Sequence, residues 1–140
     1  MTSLTLRQGR SKSKAVAVCF SSIKQLFEVM PELEHIPLLN SIFPGPVTIC
    51  VPRPKSLPEH INPEFDYLGI RIPDNNLTRK LCAENALCLT SANRSGQSSA
   101  ITANDFAELH PDLDLVIDMG QIKNSESRSV KTLTAKNNCL

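Results

Sequence analysis

The chain of 140 residues has no tryptophan, a single tyrosine and only 4% aromatic residues. That is too little for the stacking platform on which single-stranded nucleic acids are held. Its five cysteines, Cys19, Cys50, Cys82, Cys88 and Cys139, contain no Cys-x-x-Cys pair and are odd in number. Most of them sit inside apolar runs, so reduced core thiols are expected rather than a disulfide framework. His35, His60 and His110 are scattered without ligand spacing, and no protein-held metal is expected. No apolar run approaches membrane-spanning length, and the N-terminus lacks the apolar segment of a secretory signal. The expected setting is therefore cytoplasmic, with a mitochondrial one as the alternative, and without a membrane part.

What remains is an ordinary globular composition, 41% hydrophobic and 21% charged, in a length suited to one domain. The net charge of +1 is unevenly placed. Residues 1–14 carry Arg7, Arg10, Lys12 and Lys14 and no acid, while residues 119–140 carry four basic residues against Glu126. The body between them is acidic. The reading is a basic N-terminal segment (1–14), a folded core (15–118) and a tail (119–140) without periodicity, expected to be disordered.

Along the core, short β-branched runs alternate with helical spacing. Ala15 to Phe20 reads as a buried strand. Ser21 or Ser22 caps a helix through Met30, which Pro31 stops. Residues 32–43 read as helical with an interruption at Pro37. Phe43-Pro44-Gly45-Pro46 is a shaped turn feeding a strand from Val47 to Val51. Residues 53–65 hold Pro54, Pro58 and Pro63 and read as a surface connection. Tyr67 to Ile72 is the next strand, followed by a helix from Asp74, Asn75 or Asn76 to Glu84 with Leu77, Leu81 and Cys82 on one face. Ala86 to Thr90 reads as another buried strand. Thr102 and Asp105 form a variant capping box for a helix through Leu109, and Leu113 to Ile117 reads as a last strand. The fold class is α/β, or α+β-like, with a mixed or mostly parallel sheet flanked by helices.

Two polar stretches stand where strands give way to loops, the position in which open α/β sheets hold ligands. One is Leu89-Thr90-Ser91-Ala92-Asn93-Arg94-Ser95-Gly96; the other ends Gly69-Ile70-Arg71-Ile72-Pro73. Ser91 and Asn93, two apart, offer a hydroxyl and a carboxamide in one direction. Gly96 permits close backbone approach, and the Arg71 guanidinium suits a carboxylate or phosphate bidentately. This is equipment for gripping an anion without attacking it. The plainer alternative is a loop whose Ser and Asn satisfy their own backbone, with Arg71 a surface charge.

Taken together, the motifs resemble those of the YrdC-like threonylcarbamoyl-AMP synthases. They are Gly9-Arg10 with Lys14 and the first strand, Phe43-Pro44-Gly45-Pro46-Val47-Thr48, Gly69 to Asp74, Leu89 to Gly96, and Leu113 to Asp118, in the family's order over roughly residues 8–122. The resemblance implies a YrdC-like twisted mixed sheet. It also implies condensation of L-threonine, bicarbonate and ATP, with Mg²⁺, into threonylcarbamoyl-AMP and pyrophosphate. That product would pass to a threonylcarbamoyl transferase acting on tRNA, with direct tRNA binding a further expectation. By the same resemblance Arg10, Ser91 and Asn93 are the catalytic set. Arg10, Lys12, Tyr67, Asn93 and Ile101 would bind ATP, while Arg71 and Ser91 would bind threonine. Thr48 and Pro44 to Pro46 would be structural. No protein nucleophile is called for if the threonine carbamate itself attacks the α-phosphorus.

The departures are specific. The family's KxR motif reads Gln8-Gly9-Arg10, so one phosphate-facing lysine is a glutamine. The threonine-binding segment that precedes it in the family and the later STVVD-like stretch have no good match. The resemblance is thus to the central part of the family domain, shortened at both ends, with impaired activity expected. A non-catalytic RNA- or nucleotide-binding module, or a poorly folding fragment, are the competing readings.

Overall fold

A computed structural model describes residues 15–92, 98–122 and, as backbone alone, 128–130. The chain divides into two compact units, residues 15–89 with 127–140 and residues 1–14 with 90–126.

The first unit is built on a five-stranded sheet, to which the expected mixed character applies. Strand β1 (Ala17–Cys19) runs parallel to β3 (Tyr67–Arg71), with Ala17 opposite Gly69 and Cys19 opposite Arg71. Strand β2 (Val47–Pro52) pairs antiparallel with β3, placing Ile49 opposite Ile70. Strand β4 (Leu87–Leu89) forms one edge, antiparallel to β1. Strand β5 (Arg128–Val130) forms the other, parallel to β2. The order is therefore β4-β1-β3-β2-β5. Two expectations change here. The tail expected to be disordered supplies an edge strand, and the strand expected to be buried around Cys88 is an edge with that residue exposed.

Helix α1 (Ile23–Val29) starts where the sequence places it: the Ser22 Oγ accepts the Gln25 N–H at 3.1 Å. Replacing this cap, Ser22→Ala, is expected to cost about 1 kcal/mol and to lower the thermal midpoint by a few degrees in a calorimetric melt. Pro31 ends α1 by opening a single 3-10 turn (Pro31–Leu33), and helix α2 (Leu38–Ile42) begins directly after Pro37. Helix α3 (Asn76–Leu81) is capped by Asn75, whose side chain accepts the Thr78 N–H at 2.9 Å. It ends sooner than the sequence suggests, leaving Leu81 exposed while Cys82 is buried.

Strand alternation gives the sheet two different faces. Val18, Ile49, Val51, Leu68 and Ile70 point to one side and pack with Leu26, Met30, Leu33 and Leu39 into the hydrophobic core. The other side carries Ala17, Cys19, Thr48, Cys50 and Gly69, all small, with Tyr67 and Arg71 at the two ends of β3. The turn at Phe43–Pro44, a cis peptide, brings the Gly45 N–H to the Ile72 carbonyl at 2.9 Å. It is thereby fixed beside the end of β3.

The segment 53–65 is more ordered than a surface connection. Asn62 is buried, with a positive φ of 49° that asparagine tolerates better than most residues. Its carboxamide accepts from the Val16 N–H at 2.9 Å and donates to the Val16 carbonyl at 2.8 Å, acting as a one-residue strand partner. The Arg53 guanidinium donates to the carbonyls of Pro58, Ile61 and Asn62 and locks that loop.

In the second unit, residues Ala103–Asp112 form 3-10 turns kinked at Phe106 in place of a regular helix. Leu113 to Ile117 is not a strand: no described residue pairs with it, and Leu115 and Ile117 are exposed. No helix among the described residues is long and apolar enough to cross a membrane.

Candidate functional site

Arg71 closes β3 and is held by the neighbouring strand β1. Its carbonyl accepts the Phe20 N–H at 2.9 Å, and Cys19 stands opposite in register. Arg71 is half-buried and shares its sheet face with Ala17 and Gly69. A methyl group built on Gly69 would lie 3.2 Å from Thr48 Cγ2 and 3.4 Å from Ala17 Cβ, so this surface has room only for the smallest side chains. The result is a cation at the C-terminal ends of two adjacent parallel strands, on a face whose neighbouring residues Cys19, Thr48, Cys50 and Gly69 are buried.

Cys19 is fully buried on the same face. Burial, reinforced by a hydrogen bond with Cys82, pushes its thiol up to about 12, and Arg71 only partly offsets this. Cys19, Cys82 and Cys88 are free thiols as expected, whereas Cys50 is disulfide-bonded, which corrects the expectation of five reduced cysteines. Because the folded pKa exceeds the unfolded one, the neutral Cys19 thiol favours the fold below pH 9, and that advantage fades as pH climbs from 9.0 towards about 12. At pH 8, alkylation followed by peptide mass spectrometry is expected to label Cys88 readily and to leave Cys19 and Cys82 unmodified until the protein is unfolded.

Tyr67 begins the strand that Arg71 ends, and the two lie on one face four residues apart. Ser91 and Ile101 belong to the other unit. Ser91 is exposed in the stretch after β4. Ile101 donates its N–H to Asp105 Oδ2 at 2.8 Å, and its carbonyl accepts the Ile122 N–H at 2.8 Å. Asp105 also accepts the Thr102 N–H at 2.9 Å, as the capping-box reading implies, and these two bonds hold its carboxyl below the usual range. Arg10, Lys12 and Asn93 lie outside the described residues, as do Ser95 and Gly96.

Sequence reasoning missed the Asn62 and Arg53 clamp. The one local hint was an asparagine before Pro63 in an otherwise exposed, polar segment. It also treated Thr48 only as part of the turn, although the residue is buried on the face that carries Arg71.

Over residues 1–140 the chain matches the family model of the Sua5, YciO and YrdC proteins, described as Telomere recombination. It is 38% identical over 122 residues to the threonylcarbamoyl-AMP synthase of Homo sapiens, a match covering 86% of this chain and 44% of that protein. To the threonylcarbamoyl-AMP synthase of a Pseudomonas putida strain it is 34% identical over 115 residues, covering 79% and 62%. Among solved structures, P. abyssi Sua5 complexed with L-threonine superposes with a TM-score of 0.79 at 25% identity, over 94% of this chain and 40% of that one. A variant of the same protein gives 0.81 at 26% identity, over 95% and 40%. The chain thus spans less than half the length of the first curated relatives it matches.

Proposed function

Because the chain belongs to the Sua5/YciO/YrdC family, whose model it matches along its length, we propose that it carries out threonylcarbamoyl-AMP synthesis. L-threonine and bicarbonate give a carbamate with loss of water. A carbamate oxygen attacks the α-phosphorus of ATP, a new P–O bond forms, and pyrophosphate leaves with the electrons of the broken bond. The observation that carries this reading is Arg71, which ends β3 beside parallel β1 on a sheet face of small residues, and whose guanidinium would suit the carboxylate of a small amino acid. The L-threonine complex of a related structure supports it.

In this reading Arg71 and Ser91 hold threonine. Asn93, Arg10 and Lys12 hold phosphates, and Tyr67 and Ile101 line the adenosine side. Arg10, Ser91 and Asn93 stabilise the charge that spreads over the reacting phosphorus. Among the described residues no three His, Cys, Asp or Glu side chains are grouped to hold a metal ion. Mg²⁺ would arrive as part of the ATP substrate. The product would pass to a threonylcarbamoyl transferase for tRNA modification in the cytoplasm or mitochondrion.

Pyrophosphate release tests the proposal. It is expected only when ATP, L-threonine, bicarbonate and Mg²⁺ are all present, and release that ignores threonine or bicarbonate would contradict it. Gln8, standing where the family pattern has lysine, favours a second reading in which the chain binds nucleotide and turns over slowly or not at all. One restored charge-assisted phosphate contact should raise the rate about tenfold in Gln8→Lys at subsaturating ATP.

A further inference from the structure

Thr48 combines deep burial with a hydroxyl that no described residue bonds. It is 7% exposed, yet among the described residues its hydroxyl has no hydrogen-bond partner. Its place is fixed by the sheet. Ile49 pairs with Ile70 across β2 and β3, so the preceding Thr48 flanks Arg71 one step further along the same antiparallel register. Its methyl group lies towards Gly69, where any larger residue would press on it.

A buried hydroxyl without a partner destabilises the fold, and valine, nearly identical in shape, fits the same strand position without that cost. Such a group calls for an explanation, and a ligand that meets it is one. We propose that Thr48 is a substrate-binding residue whose hydroxyl donates to the amino-acid carboxylate alongside the Arg71 guanidinium. The assignment rests on the proposed function, in which Arg71 takes that carboxylate. The pairing of a planar fork with one neutral donor would orient the carboxylate as well as hold it.

The test is calorimetric titration of L-threonine into the full chain, with thermal melts of the same proteins. Thr48→Val is expected to melt at or above the wild type and to bind L-threonine about 10- to 100-fold more weakly, as loss of one hydrogen bond to a charged group implies. Thr48→Ser, which keeps the hydroxyl, is expected to bind close to the wild type. A purely structural threonine predicts the opposite split, with affinity unchanged by valine. If valine disturbs the fold, the pair Thr48→Ala and Thr48→Ser carries the same comparison, with alanine losing affinity and serine keeping it. Wild-type binding matched by the variants lacking the hydroxyl overturns this assignment alone. A wild type with no affinity for L-threonine overturns it together with the proposed function.

Discussion

Replacing Arg71 by alanine is expected to weaken L-threonine binding by a hundredfold or more while leaving the thermal midpoint within a few degrees of the wild type. The size follows from removing a bidentate, charge-assisted contact, about 2–4 kcal/mol when the partner carboxylate is left without it. The small stability change follows from the half-buried position of the side chain at a strand end, where the backbone bond from the Phe20 N–H to the Arg71 carbonyl survives the substitution. Arg71→Lys keeps the charge but not the planar fork, and should recover only part of the affinity. Calorimetric titration with L-threonine decides the matter; an alanine variant that binds as the wild type does would remove Arg71 from the site.

Gly45→Ala is expected to lower stability by roughly 2–4 kcal/mol and the thermal midpoint by roughly 5–15 °C. A Cβ at this position would lie 2.6 Å from the Ile42 carbonyl oxygen, a backbone atom that cannot swing aside as a side chain would. Relief requires the turn to shift, which breaks the bond from the Gly45 N–H to the Ile72 carbonyl. Ile72 follows Arg71 directly, so threonine affinity should fall along with stability. Differential scanning calorimetry and titration on the same sample separate the two effects. A variant melting like the wild type would mean that the turn gives way at little cost and does not brace β3.

Much of the first unit could be read locally. Ser22 and Asn75 cap helices through bonds made within three residues, Pro31 and Pro37 mark the helix limits, and the β-branched runs at Val47 and Tyr67 become strands. Tyr67 to Ile72 was legible as the strand that carries Arg71. The larger failures are non-local. Whether Leu113 to Ile117 pairs, or whether Arg128 to Val130 does, depends on a partner distant in sequence, and the apolar alternation of the former looked the stronger signal. The exposure of Cys88 follows from β4 lying at an edge, which its apolar run cannot reveal. The Asn62 carboxamide bonds a residue 46 positions away and left only a proline neighbour as its trace. Of the candidate site, Arg71, Tyr67, Ser91 and Ile101 have described positions, and the burial of Thr48 depends on tertiary packing that its place after the Pro44–Pro46 turn does not reveal.

The proposed synthesis requires one site to hold an amino acid and a nucleotide side by side. Titration of the chain with Mg²⁺ and ATP, in the absence and in the presence of saturating L-threonine, tests it most directly. Two ligands sharing one site and contacting each other should bind with a coupling of about 1–3 kcal/mol, so ATP affinity should rise about fivefold or more when threonine is present. Equal ATP affinity in both titrations, or no ATP binding in either, would contradict the account.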